Sequence, residues 1–446
     1  MTAGEEFLQG VRGVGVMLFA NRFALWIVFV LVHLWLGYEN LHGPGNPFGD
    51  VTGPYRTWTD QVLVAHYWVG IDGPFVYPVL AIFPMLAAQA FGSAHFGSTW
   101  LCLVMILNAA GFAALTGWGA RARNVGTAWW WLAFLALLGP IALGRIDSVT
   151  VPFAIIGLLL VSRHPIAATI VLTIATWIKV WPAALLAAIV IASRHRLTVI
   201  TWALITSGAI IAIALTYGSG ANIFSFFTQQ AGRGLQVEAP ITTPWLWSAL
   251  AGTPDTFVYF DQDILTFQVS APGADVASQI MTPVLAVAAL VTSALGFFAA
   301  RRRTPTLDLL PVLSLALVTC LIAFNKVGSP QFIMWIAVPV IFGLVTVGRA
   351  FRTPAIMALV IATLTQILYP INYYTFLSLN PVLLIVETGR NVLLFVLYGW
   401  AVRALVRFIR VQHDPELPVE SPEDDASPAA AWPLNDAERD RLREHP

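Results

Sequence analysis

Apolar runs of near-spanning length recur from residue 23 to about residue 408, and a chain so patterned has few folds open to it. A bilayer core is about 30 Å thick and is crossed by about 20 apolar residues of helix. Lipid offers no partner to backbone groups left outside a helix or a closed barrel. The pattern therefore predicts an all-α polytopic membrane protein with the bilayer itself as its main partner. Of the 446 residues 58% are hydrophobic and 11% charged, with zero formal net charge and a mean hydropathy of +0.75. The arginines punctuate apolar runs instead of forming a basic face, so nucleic acid is not an expected partner. Cys102 and Cys320 lie inside apolar runs, where neither a disulfide nor a zinc site is expected. Residues 1–22 lack a cleavage-site pattern, so Phe23 onward reads as a retained first span.

Basic residues concentrate in cytoplasmic loops, and their placement counts the crossings. Arg12 and Arg22, Arg121 with Arg123, Arg163, Arg194 with Arg196, Arg301 to Arg303, Arg349 with Arg352, and Arg403, Arg407 and Arg410 all flank apolar runs. If all lie inside, each interval between them holds an even number of spans. Intervals 125–162, 166–193, 198–300, 308–348 and 354–402 each divide into two. The first interval holds three runs, at 23–41, 79–92 and 98–118. Its middle run is short and carries Pro78 and Pro84, so it reads as a re-entrant or interfacial helix. Twelve spans follow, with residues 1–22 as a cytoplasmic N-terminus and 23–408 as the membrane domain. Outer loops are expected at 42–97 and 218–280. The acidic, proline-rich residues 409–446 read as a disordered cytoplasmic tail, with one helical turn capped by Asn435 and Glu438.

This topology leaves only Arg56, Arg145, Lys179, Arg233, Lys326 and Arg390 of the basic residues on or beside outer loops, and they include both lysines of the chain. The stretch from Leu41 to Tyr77 adds Asp50, Asp60 and Asp72. A carboxylate held against a bilayer is costly and marks function. Asp60 reads as an ordinary first-turn helix acid and Asp72 as part of a DG turn. Asp50, in a loop dense with glycine and proline, has no such explanation and is the preferred base, with the other two as fallbacks. Arg145 and Asp147 read as a structural pair at an outer turn, and Glu387 with Arg390 as an internal pair at i,i+3. Lys179 lies where Pro182 divides a hairpin of two short segments, and snorkelling is its plain alternative. Residues 218–280 predict a short interfacial helix around Trp245 and Trp247, then a β-hairpin. Asp261 and Asp263 form a lone DxD, read as a solvated turn.

One outward carboxylate among several cations suits a transfer in which an acceptor hydroxyl loses its proton while an anionic leaving group departs. No P-loop, GxSxG, HExxH or Cys/His cluster points elsewhere. The pattern GDVTGPY followed by FVYPVLAIFPML resembles the Asp-x-x-x-x-Tyr and Tyr-Pro-Pro-Leu region of glycosyltransferase family 87. IKVWP resembles that family's Lys-x-x-Pro segment, GRGLQVEAP its Arg-Gly-Leu-Gln-x-Glu segment, and NKVGSPQF its Ser-Pro segment. The resemblance spans about residues 20 to 405. It implies a GT-C fold and an inverting mannosyltransferase of actinobacterial type. The donor would be polyprenyl-phosphate-mannose, the acceptor a glycolipid or lipid-linked glycan, and the active site would lie on the extracytoplasmic face of the plasma membrane.

By that resemblance Asp50 is the base, and of the outward cations Lys179 and Arg233 are the preferred ligands of the donor phosphate, Lys326 the next and Arg145 the last. Tyr55, Arg56, Tyr77, Glu238, Gln331 and Asp147 line the substrate pocket, and no metal or other cofactor is expected. Two departures stand out: Val79 replaces the second proline of Tyr-Pro-Pro, and Gln331 and Phe332 follow Ser-Pro where some members carry histidines. The rival class is a transporter or lipid-linked sugar flippase, for which matching inverted halves with paired broken helices are the signature. No matching halves are evident here.

Overall fold

The computed structural model describes residues 22–117 and 124–410. The readings placed on Arg12, on Arg121 with Arg123, and on the tail with its Asn435 and Glu438 cap lie outside those residues. Helix α1 (Arg22–His42) leads into a π turn (Val51–Tyr55), α2 (Arg56–Ala65) and α3 (Ile82–Ala87). Then come α4 (Phe96–Thr116), α5 (Val125–Leu138), α6 (Asp147–Leu160), α7 (Pro165–Ile178), α8 (Ala183–Ala192) and α9 (Arg196–Thr216). Short helices α10 (Ser225–Ala231) and α11 (Thr243–Leu250) precede strands β1 (Phe257–Asp261) and β2 (Thr266–Ser270). The chain closes with α12 (Ala274–Arg301), α13 (Thr306–Ala323), α14 (Ile333–Thr346), α15 (Arg352–Gln366), α16 (Tyr373–Leu377) and α17 (Pro381–Arg410).

Among the described residues seven helices are long and apolar enough to cross a membrane: α1, α4, α9, α12, α13, α15 with its flanking turns, and α17. Helices α5 to α8 and α14 are apolar but shorter. Helix α3 has six residues and spans about 9 Å, so residues 79–92 hold no helix long enough to cross a membrane. The segment expected as an outer loop at 218–280 is cut short, because α12 begins at Ala274. The hairpin read in residues 255–275 forms, with Phe257 opposite Ser270 and Asp261 opposite Thr266. Its Asp261 caps the backbone N–H groups of Asp263 and Ile264 at 3.0 and 3.3 Å, the ordinary use of aspartate in a turn.

Helices α13 and α14 are the centre. Every residue from Ile333 to Gly343 is buried, and so is 78% of the spanning window of α13. Helix α9 is equally apolar, yet only 11% of its window is buried. A helix apolar on all sides with so little cover needs lipid around it. Between such helices the driving force is close packing and hydrogen bonding, since lipid is as apolar as leucine. Gly296 of α12 accordingly faces Leu313 of α13, where a Cβ would meet that side chain at 2.6 Å. Trp130 Nε1 donates across to Ala355 O at 3.1 Å, and Trp177 Nε1 to Ser207 Oγ at 3.0 Å.

Candidate functional site

Two breaks in helical structure begin the site. Between α7 and α8 the backbone of Lys179 is extended, with φ −150° and ψ 134°, and Pro182 restarts the helix. Between α5 and α6 a 3-10 turn (Pro140–Ala142) presents Arg145, and Asp147 opens α6. Asp50 stands immediately before the π turn that follows α1. Asp50, Arg145 and Lys179 border one cavity of about 680 Å³, whose wall also includes Tyr55, Tyr77, Arg233, Glu238, Lys326 and Gln331.

The charges in it are paired crosswise. The sequence reading expected Arg145 to pair with its neighbour Asp147, and the structure corrects this. Arg145 Nε instead meets Asp50 Oδ2 at 3.0 Å, and Lys179 Nζ meets Asp147 Oδ2 at 3.6 Å. The two side chains are separated by one residue at the turn into α6 and serve different partners. The Arg145 fork is filled further: Nη1 donates to Pro47 O (2.6 Å) and Gly144 O (2.8 Å), and Nη2 to Tyr369 Oη (2.8 Å). Burial opposes its charge, but Asp50, Tyr369 and Tyr55 outweigh that and raise its pKa above the ordinary arginine value. Asp50 keeps 39% of its side chain exposed, leaving carboxylate surface to the cavity.

Asp147 is fully buried and does not itself line the cavity, a correction to its expected place in the pocket wall. Its Oδ1 accepts from Trp335 Nε1 at 2.8 Å, and its Oδ2 reaches the cavity only through Lys179. Trp335 stacks between Trp181 and Phe332, at centroid distances of 5.5 and 4.3 Å. Lys179 Nζ also lies 4.5 Å from the Tyr77 ring centroid and 5.7 Å from that of Phe332, within cation–π range. Snorkelling to bulk water is therefore not what Lys179 does.

Tyr55 is buried, accepts from Ile146 N at 3.1 Å and sits 3.5 Å from Tyr77 Oη. Burial pushes its phenol well above the usual tyrosine pKa. Arg233 hangs from the loop after α10. Its Nε is buried with no hydrogen-bond partner among the described residues, and burial lowers its pKa against the pull of Tyr77, Asp50 and Asp261. Gln236 fits between Arg233 Nη1 (3.3 Å) and Gly328 O (2.8 Å) in the amide orientation that satisfies both. Burial also lowers the pKa of Lys326. Gln331 is buried in the wall and accepts from Ser329 Oγ at 2.6 Å.

Arg56 is not in this wall. It lies on α2, half exposed, 3.9 Å from Asp60, so its expected place in the pocket is corrected. The same pairing corrects the reading of Asp60, which is the fifth residue of α2 and not in its first turn. Asp60 accepts from Gln89 Nε2, and Asp72 accepts from Trp68 N at 2.7 Å in its turn. Neither acid borders the cavity.

Sequence reasoning missed Tyr369 and Tyr373. Both line the cavity, and Tyr369 is the hydroxyl that Arg145 grips. A signal was present: Tyr369-Pro370 repeats the tyrosine-proline step of Tyr77-Pro78 at the end of an apolar run. The hairpin contributes Phe260, Asp263 and Phe267, and the lining also includes the apolar side chains of Phe226, Phe227, Met281, Leu285 and Leu321. The arrangement offers an anion several cationic donors, a hydroxyl one exposed carboxylate, and a hydrocarbon chain a greasy flank. Compared with protein-family models, curated proteins and solved structures, the chain matches none.

Proposed function

We propose that the chain is an inverting glycosyltransferase of GT-C type with twelve spans. On this reading it moves mannose from polyprenyl-phosphate-mannose to a hydroxyl of a glycolipid or lipid-linked glycan, on the extracytoplasmic face of the plasma membrane. The observation that carries the reading is the gathering of Asp50, Arg145, Lys179, Arg233 and Lys326 around one cavity. These residues come from five separate loops or loop edges, and a structural role for each alone gives no reason for them to meet. Seven long and five shorter apolar helices among the described residues make up the number of spans proposed.

In the proposed reaction Asp50 takes the proton of the acceptor hydroxyl, whose oxygen attacks the anomeric carbon of the donor. The bond from that carbon to the phosphate oxygen breaks on the opposite face, so a β-linked donor yields an α-mannoside. Polyprenyl phosphate leaves with both electrons of the bond, and Lys179, Arg233 and Lys326 stabilise its growing charge. Arg145 holds Asp50 in place through the 3.0 Å contact of its Nε. The apolar lining of Phe226, Phe227, Met281, Leu285 and Leu321 suits the polyprenyl chain.

Membranes carrying the protein, given radiolabelled polyprenyl-phosphate-mannose, should place label in a new mannoside. Label that only crosses the bilayer in intact donor would instead identify a flippase. Asp50→Asn keeps an acceptor for Arg145 but removes its counter-charge; it should lower turnover by about 10²- to 10⁴-fold, the usual worth of a general base, in protein that still unfolds cooperatively at a lowered temperature. Retained turnover in that variant would remove Asp50 from the role.

A further inference from the structure

Glu238 is held in this cavity in a way the transfer step described above does not use. Its carboxyl lines the wall and Oε1 accepts the hydroxyl proton of Tyr373. A cation is at hand but diverted: Arg390 Nη2 donates to the backbone oxygen of Glu238 at 2.7 Å and to Glu387 Oε1 at 2.6 Å. The ion pair of Arg390 is with Glu387.

The segment that carries it is clamped from three sides. Asn391 of α17 donates to Thr243 Oγ1 at 2.9 Å. Val237 N donates to Phe267 O of β2 at 3.2 Å, and Gln236 N to Lys326 O at 3.1 Å. Gly328 lies so close that a Cβ there would stand 2.1 Å from Ala239 N and 2.3 Å from the carbonyl carbon of Glu238. Tyr373 is itself fixed by edge contacts with Phe267 and Tyr369, at 5.9 and 5.1 Å between centroids. Fixing an acid this firmly beside an open cavity, with Arg390 turned to Glu387 and to the backbone, suits a neutral ligand rich in hydroxyl donors. A carboxylate accepts from hydroxyls on both oxygens and repels a phosphate.

We propose that Glu238 is a second substrate-contacting carboxyl, which accepts hydrogen bonds from ring hydroxyls of a glycoside acceptor and so selects the hydroxyl that meets Asp50. The inference rests on the glycosyltransferase reading and assigns the acceptor to the side of the cavity formed by Tyr373, Phe267 and Glu238. The cations Lys179, Arg233 and Lys326 are left to the anionic donor.

The test uses the full chain in lipid nanodiscs, radiolabelled polyprenyl-phosphate-mannose, and octyl α-mannoside as the acceptor probe. Glu238→Ala should raise KM for octyl α-mannoside at least tenfold and give more than one linkage isomer, while KM for the donor stays within twofold. Glu238→Gln should fall between it and the parent. Tyr373→Phe keeps the carboxyl but frees it, and should raise the acceptor KM about threefold or more; it carries the test if Glu238→Ala does not fold. Unchanged acceptor KM and a single linkage in these variants would overturn the proposal. A fall in kcat alone would overturn it too, as the mark of a structural role. Failure of the parent protein to transfer mannose to any acceptor would sink the function itself, a different result from parent transfer with indifferent variants.

Discussion

Asp147→Asn breaks a charge pair beside the cavity in which the acid is wholly buried. Asp147 is 0% exposed and Lys179 15%, with 3.6 Å between Oδ2 and Nζ. At an effective dielectric of about 20, opposite charges at that distance attract by about 4 to 5 kcal/mol. Desolvation cancels much of this for the intact pair, but removing one partner leaves a buried charge uncompensated, at a cost of about 3 to 5 kcal/mol. Asparagine still accepts from Trp335 Nε1 through its oxygen, yet it turns an N–H toward the ammonium, so donor faces donor. The expected loss is about 3 kcal/mol, read as a fall of several degrees in thermal unfolding in detergent followed by tryptophan fluorescence. Lys179→Met in the same chain removes the stranded charge at similar volume and should restore most of the loss, a coupling of about 1 to 3 kcal/mol. An unfolding temperature within a degree of the parent for Asp147→Asn would refute the reasoning. So would a double variant whose loss equals the sum of the two singles.

Arg145→Lys should lower stability by about 2 to 4 kcal/mol, because one ammonium cannot serve Asp50, Pro47 O, Gly144 O and Tyr369 Oη in a fixed plane; thermal unfolding reads this directly. The Glu238 carboxyl is raised above the usual glutamate range by burial, against the pull of Tyr373, Arg390 and Arg145. Glu387, Tyr369 and Tyr373 are the other titratable groups that face it. It accepts hydroxyls best when ionised, so the acceptor KM should rise as pH falls through this raised pKa, at a higher pH than an unperturbed glutamate would give. The same limb should vanish from the pH profile of Glu238→Gln, and its persistence there would assign it to another group.

Much of the scaffold was readable because lipid removes alternatives. Length and apolarity mark the long helices, and Pro78 and Pro84 mark a run whose helical pieces stay short. Counting crossings grouped Asp50 with six cations, and four of them, Arg145, Lys179, Arg233 and Lys326, do line its cavity, while Arg56 and Arg390 do not. What failed was partner choice. Arg145 and Asp147 are neighbours of opposite sign, and proximity in sequence suggested a pair. The turn into α6 sends them to different partners, Asp50 almost a hundred residues upstream and Lys179 across the cavity. Arg56 failed for a related reason: it follows Tyr55 directly, but the turn buries the tyrosine and leaves the arginine on the far side of α2. Tyr369 and Tyr373 come from the last third of the chain, and nothing in local pattern ties them to residues 47–55. Such contacts depend on how helices cross, which hydropathy does not record.

The bare backbone contact at Gly328 has a practical side. Because no side chain separates that glycine from residues 238 and 239, the lysine and the glutamate of those two loops ride on a single piece of framework. Widening the chamber by prising them apart would tear both from their places. Anyone reshaping this protein for a bulkier ligand would do better to trim Ile264 or Leu265, side chains at the hairpin tip that line the same cavity.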